Sequence, residues 1–393
     1  LVPALLLLVL TLCTADRPNV LLIIDDQSFH VGAYGQAIRT PNMDRVAKGV
    51  FTNAFTSSPS CSPSRAALLT GLIWQIYGNH VKYKYPDLLE NAGYRVGIGK
   101  KGPGSVYPFD RRNPGGFSYA LFRFLKKKDK PFCLWVASHE PHRPFKGGEK
   151  NGDPKVVVPA FLPDTPIRDI ADYYAEVQWD QELGVLDLEA GLDNTVVIVT
   201  SDNGMFPRAK ANLYDYGTHM PLIISWPGKG VSDALVTLID LTPTLDLGVP
   251  PPLSGKSLVL LRSGIDEKPR DAVVFGRRHV RRLGYPMRSI RTKYYIRNLP
   301  ERWAGPFYGE LPYVSPTFFL VERDDAKLSF FAVAKRPADE LYDIQKDPLN
   351  NLAADPFAQI KLARLRKYLA TDPRSPDGII WDTPYLPPKR LEV

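Results

Sequence analysis

The sequence predicts an α/β fold: a large, mostly parallel central sheet flanked by helices, followed by a smaller C-terminal antiparallel sheet with a packed helix. Three observations predict it. Unbroken runs of β-branched and aliphatic residues at 19–24, 131–137 and 194–200 lack the polar alternation of a half-exposed strand, as strands covered on both faces must. Helix-patterned segments at 40–47, 66–72 and 169–188 lie between them and supply the crossovers that parallel strands need. From about residue 261 the apolar runs shorten and alternate with aromatic and basic residues, the texture of antiparallel strands.

In chain order, residues 1–15 form an apolar run closing on Cys13, Thr14 and Ala15, which reads as a secretory signal and is too short to span a bilayer. The strand at 19–24 ends on Asp25 and Asp26. Two adjacent carboxylates at a strand's carboxyl end repel unless a cation lies between them, and calcium takes such oxygen ligands. A strand-to-loop turn with a helix cap accounts for the same pair without a metal. After the helix at 40–47 and a strand at 51–55 comes the loop Ser60-Cys61-Ser62-Pro63-Ser64-Arg65, then the helix at 66–72. The N-terminus of that helix points N–H groups and a positive dipole at any anion in front of it, and Arg65 offers a fork of donors.

A short strand at 94–99 delivers Lys100, and the strand at 131–137 delivers His139 and His142, residues suited to proton transfer or metal binding. Residues 147–166 read as a loop, and the helix at 169–188 covers the sheet. The strand at 194–200 ends on Ser201-Asp202-Asn203-Gly204, a second acidic strand end, which offers a carboxylate and an amide oxygen. Arg208 and Lys210 then add two cations, before a strand at 221–227 and a helix at 236–247. The C-terminal part reads as strands at 285–291 and 293–298, an end-of-sheet segment at 340–348, a helix at 358–369 and a Pro-rich tail. The division is a leader at 1–15, a catalytic domain at 16–260 and a smaller α+β subdomain at 261–393.

With 393 residues, 44% hydrophobic and 23% charged, the chain can bury a large core and has the balance of a soluble globular protein. Its formal net charge of +8 fits a polyanionic partner. No nucleic-acid-binding motif is present, and Lys126-Lys127-Lys128 reads as a solvated helix end, so neither a nucleic acid partner nor stable membrane insertion is expected.

Cys61-Ser62-Pro63-Ser64-Arg65 is the C-x-P-S-R pattern of type I sulfatases, and the chain resembles that family from about residue 17 to about residue 369. The resemblance implies an alkaline-phosphatase-like sandwich. It also implies that a formylglycine-generating enzyme oxidises Cys61 to formylglycine during secretion. A thiol attacking sulfur would leave a stable thiosulfate; the hydrated aldehyde can attack with one hydroxyl and expel sulfate when the other loses its proton. The family's calcium would be held by Asp25, Asp26, Asp202, Asn203 and the modified Cys61. Arg65 would hold a formylglycine oxygen, Lys100 the sulfate, and His142 would protonate the leaving group. Lys210 and, second, Arg208 would bind the sulfated sugar. A disulfide between Cys61 and Cys133 would destroy the nucleophile, so none is expected.

The segments Tyr-Pro-Met-Arg-Ser at 285–289, Tyr-Val-Ser-Pro-Thr-Phe at 313–318 and Val-Tyr-Pro-Phe-Asp at 106–110 look closest to the branch acting on N-sulfated glucosamine of heparan sulfate. That branch implies a lysosomal enzyme of glycosaminoglycan breakdown, although no Asn-x-Ser/Thr sequon occurs, which leaves extracellular or periplasmic placement open. The chain departs from the family in two places. Gly102 stands where a histidine is expected after Lys100, and residues 73–85, with His80, form a shortened stretch. Two readings therefore stay open: an active calcium-dependent sulfohydrolase for N- or O-sulfated sugars, or a catalytically weak relative that binds sulfated glycans. A homodimer is left open too.

Overall fold

The computed structural model describes residues 17–72, 85–100, 124, 125, 127, 129–137, 141, 142, 145, 167–179, 194–205, 209, 210, 213–225, 230–245, 254–262, 269–280, 283–292, 295–300, 337, 339–347 and 350–371. The leader with Cys13, the shortened stretch with His80, Gly102, His139, the loop at 147–166, Arg208 and the Pro-rich tail lie outside the described residues.

The large sheet has the order β3 (Arg95–Lys100), β4 (Phe132–Ala137), β1 (Asn19–Asp25), β5 (Thr195–Ser201), β7 (Leu222–Ser225), β2 (Gly49–Phe55) and β6 (His219–Met220), with β8 (Gly230–Thr237) also pairing β2. The first four strands are parallel, and β7 runs antiparallel to both β5 and β2. Both faces of β1 are covered. Val20, Leu22 and Ile24 join one core cluster with Trp135 and Ile198, while Leu21 and Ile23 join another with Leu134, Val136, Val197 and Val199. Successive side chains point to opposite faces and both faces are dry, which is why these strands carry no polar alternation.

Register decides where the chemistry can sit. Asp25 pairs with Ser201, Ile24 with Ala137, and Lys100 with Ala137, so the carboxyl ends of β3, β4, β1 and β5 lie level at one edge. The strand β2 runs in the same sense and its end at Phe55 opens the loop to Cys61. Five segments read as polar in the sequence thus leave the sheet together.

Helices α1 (Pro41–Val46), α2 (Cys61–Thr70), α3 (Tyr85–Asn91) and α4 (Ile167–Trp179) flank this sheet. Leu68 and Leu69 of α2 pack with Leu89 of α3 in the first cluster, and Ile170, Tyr173, Tyr174 and Val177 of α4 pack around Met205 and Ile38. Two expected boundaries move. The helix expected at 66–72 starts at Cys61, because the first turn needs no N–H from Pro63 and Ser60 ahead of it is extended. The helix expected at 236–247 begins later: β8 runs to Thr237, where the Asp240 carboxylate accepts from the Thr237 N–H at 2.8 Å, and short helical turns follow at Leu238–Asp240 and Leu241–Thr244.

The second sheet is antiparallel throughout, in the order β12 (Glu340–Asp343), β11 (Tyr295–Pro300), β10 (Leu283–Thr292) and β9 (Ala272–Val280). Helix α5 (Gln359–Thr371) buries Leu362 and Leu365 against Ala272, Ile290 and Leu341 of this sheet. A shared cluster of Phe55, Leu213, Leu235, Val273, Phe275 and Tyr342 joins the two sheets.

Candidate active site

Cys61 opens helix α2 at the level edge of the large sheet, where its thiol lies 3.2 Å from Asp26 Oδ1. Asp26 is fully buried, as are Asp202 and Asn203 just beyond the end of β5. Arg65, one turn into α2 and 1% exposed, donates from Nε to Asp202 Oδ2 and brings Nη2 to 3.9 Å from Asp26 Oδ2. Lys210 arrives from the loop after β5 and donates to Cys61 Sγ at 2.8 Å and to Asp26 Oδ1 at 3.3 Å. His142 follows β4, and its ring nitrogen, Cys61 Sγ and an Asp26 oxygen all lie within 4.8 Å of one another.

Six of the residues singled out in the sequence therefore meet at one point: Asp26, Cys61, Arg65, His142, Asp202 and Lys210. Asn203 lies beside Asp202. Asp25 and Lys100 end β1 and β3 at the same edge, with the backbone described and their side chains outside the described atoms. Among the described residues, neither Cys61 nor Cys133 is in a disulfide; Cys133 is buried in β4 and burial pushes its pKa up to about 12, so it stays an inert thiol.

The electrostatics are those of an anion site built over carboxylates. Burial works against the charge of Arg65, but Asp202 and Asp26 outweigh it and hold the guanidinium above its ordinary value. Lys210 is likewise disfavoured by burial and then raised by Asp26, Cys61 and Asp202. Both side chains are thus positively charged at any working pH. Asn203 Oδ1 is buried and has no hydrogen-bond partner among the described residues. An orphaned amide oxygen beside buried carboxylates is a set of hard donors, and it fits an oxygen-seeking divalent cation such as calcium.

Sequence reasoning missed the groups that hold these loops. Ser201 Oγ accepts from the Gln27 N–H at 2.9 Å and donates to Asn203 O at 3.0 Å, which ties the loop of Asp26 to that of Asn203. Tyr173 OH of α4 accepts from the Ser28 N–H at 3.0 Å and meets His30 Nδ1 at 3.2 Å. Gly204 faces the carbonyl of Tyr216 so closely that a Cβ would stand 1.7 Å from it. Only Gly204, the last residue of the Thr-Ser-Asp-Asn-Gly run, carried a signal; the others lie far apart in the chain.

A sulfatase family model matches residues 18–124 and 117–246. The chain is 38% identical to human N-sulphoglucosamine sulphohydrolase, an alignment that covers 95% of each chain. It is 30% identical to an ulvan-active sulfatase of Formosa agariphila over 87% of this chain and 77% of that one. The alignment with the human protein runs to 482 positions, longer than the 393 residues here, so internal segments of that protein have no counterpart in this sequence. The fold matches a structure solved in complex with its substrate D-glucosamine-2-N,6-O-disulfate, with a TM-score of 0.68 and 19% identity over 94% of this chain and 100% of that one. It also matches phosphonate monoester hydrolase of Agrobacterium radiobacter, with a TM-score of 0.65 and 20% identity over 90% and 95%.

Proposed function

The chain belongs to the sulfatase family, and from that premise we propose that it removes sulfate from N-sulfated glucosamine of heparan sulfate, with formylglycine made from Cys61 as nucleophile and calcium as cofactor. The observation that carries the reading is the convergence of Cys61, Arg65, Lys210 and His142 on the buried carboxylate Asp26. The 38% identity to human N-sulphoglucosamine sulphohydrolase supports the choice of substrate.

Sγ of Cys61 stands in for an oxygen of the hydrated aldehyde. Formylglycine, once formed, supplies a geminal diol that can act as nucleophile and later release sulfate. Asp26, Asp202 and Asn203, with Asp25, would hold the cation, which would polarise sulfate oxygens. The chain's own residues do the rest. Arg65 and Lys210 balance the carboxylates and leave the site able to accept an anion. Lys210, in contact with the nucleophile position, orients the sulfate as it approaches. His142, whose ring nitrogen lies within 4.8 Å of both an Asp26 oxygen and Cys61 Sγ, gives a proton to the departing amine, which leaves poorly as an anion.

The secretory leader, the converting enzyme as a maturation partner and lysosomal delivery belong to this same reading. No helix of the described residues is long and apolar enough to cross a membrane. The test is sulfate release from N-sulfoglucosamine compared with glucosamine 6-O-sulfate, by protein co-produced with a formylglycine-generating enzyme. Release from the N-sulfated sugar is expected to dominate and to vanish in Cys61→Ala. Release from the O-sulfated sugar alone would reassign the substrate, and release from neither would favour a glycan-binding relative.

A further inference from the structure

The helical turn Asp215–Thr218, with Tyr214 ahead of it, contains none of the residues just assigned, yet three loops of the site lean on it. Ser28 Oγ, two residues after Asp26, donates to the Tyr216 carbonyl at 2.5 Å. The Gly204 N–H, next to Asn203, donates to the Gly217 carbonyl at 3.2 Å. The Thr56 N–H, at the start of the loop to Cys61, donates to the Thr218 carbonyl at 2.9 Å. Three successive carbonyls of one turn thus fix the three loops that bring Asp26, Asn203 and Cys61 together.

The turn is in turn held by the small sheet. Tyr214 OH meets both carboxylate oxygens of Glu340 in β12, at 2.7 and 3.0 Å, and Glu340 is fully buried. Arg291 of β10, 3% exposed, pairs with Asp215 at 3.1 Å and lays its guanidinium 4.9 Å from the ring centre of Phe55, the last residue of β2. From β9, the Gly276 N–H donates to the Ser57 carbonyl at 3.1 Å, within the loop that ends at Cys61.

We propose that the small C-terminal sheet is a positioning part of the active site, with Arg291 and Glu340 clamping the Tyr214–Thr218 turn so that its carbonyls hold the loops of Asp26, Asn203 and Cys61 in register. The proposal deepens the sulfatase reading and rests on it for the identity of the site. Arg291 and Glu340 touch no reacting atom; they act through the turn. Buried outer contacts of this kind are worth about 10–100-fold in metal affinity or activity.

The test combines native-state hydrogen exchange with steady-state kinetics on Arg291→Met, Arg291→Lys and the milder Tyr214→Phe, which removes one hydroxyl and leaves the ring in place. In Arg291→Met the Thr56 and Gly204 amides are expected to exchange at least about tenfold faster while those of Leu22 and Ile198 in the sheet core are unchanged, a local opening rather than a global one. The kcat for the N-sulfated sugar is expected to fall about 10–100-fold with KM little changed, and Arg291→Lys to recover most of the loss. Tyr214→Phe is expected to give the same pattern at smaller amplitude. Unchanged exchange at Thr56 and Gly204, uniform acceleration across the sheet, or local opening with full kcat would each overturn the clamp. If the wild type releases no sulfate from any sulfated glucosamine, the functional reading falls, and the exchange data still decide whether the turn is held by the small sheet.

Discussion

Arg65 and Lys210 are both pressed against Asp26, and Arg65 also pairs with Asp202. Removing one member of a buried pair leaves a charge without a counter-ion, which costs about 3–5 kcal/mol. Arg65→Met is therefore expected to lower the unfolding midpoint of the protein by several degrees in addition to abolishing turnover. Adding calcium in a thermal melt should recover part of that loss; recovery to the wild-type midpoint without calcium would show that Asp202 does not depend on Arg65. Two buried histidines set a different expectation. Burial, then the neighbouring His219, lowers the His30 pKa to about 3, and burial, opposed by Asp215 and reinforced by Arg291, lowers that of His219 to about 4. Unfolded histidines titrate near 6.5, so below that pH the unfolded chain binds more protons and stability falls as pH falls, down to the folded values. Between pH 6.5 and 5 each histidine takes away about 2 kcal/mol. Calorimetry at those two pH values should find a lower midpoint at pH 5 and a smaller drop in His219→Gln, whose amide can still reach the Thr52 carbonyl that His219 Nε2 meets at 2.8 Å. An equal drop in the variant would mean that His219 is protonated in the fold.

At the scale of elements, the buried strands were readable because a sheet covered on both faces demands continuous apolar runs, and β1, β4 and β5 supply them. The polar residues at their ends were readable for the same reason: Asp25-Asp26, His142 and Asp202-Asn203 each follow such a run. Lys210 was assigned to the sugar by resemblance, and its nitrogen lies on Cys61 and Asp26; no local pattern encodes that a basic residue in a loop turns toward them. The turn at Asp215–Thr218 was not legible, because its role rests on backbone carbonyls, which any sequence possesses. Gly204 is the exception that a sequence can show. An added Cβ would stand 1.7 Å from the Tyr216 carbonyl and 2.4 Å from Ser28 Oγ, so the Tyr216 turn or the loop of Asn203 must shift. Gly204→Ala is expected to fold with a loss of about 1–3 kcal/mol or more and to lose calcium affinity measured by calorimetry; unchanged affinity would show that the two loops can separate without disturbing the cation site.

At the scale of the whole molecule, the small sheet is bonded to the catalytic loops through the shared cluster of Phe55, Val273, Phe275 and Tyr342 as well as through polar contacts. The sequence marked a change of texture near residue 261 but gave no sign that the second sheet reaches the site, since β9 was not read and Arg291 is one of many basic residues there. Buried carboxylates from two distant strands also make a whole-chain prediction: Asp202→Ala is expected to abolish calcium uptake by metal analysis along with activity, while bound calcium retained in that variant would place the ion elsewhere. The catalytic reading depends on Cys61 becoming the nucleophile. The most direct measurement is the mass of the peptide spanning Cys61, from protein co-produced with a formylglycine-generating enzyme, read together with labelling by a hydrazide probe. The account predicts an aldehyde at that position; a cysteine that remains fully open to alkylation would contradict it.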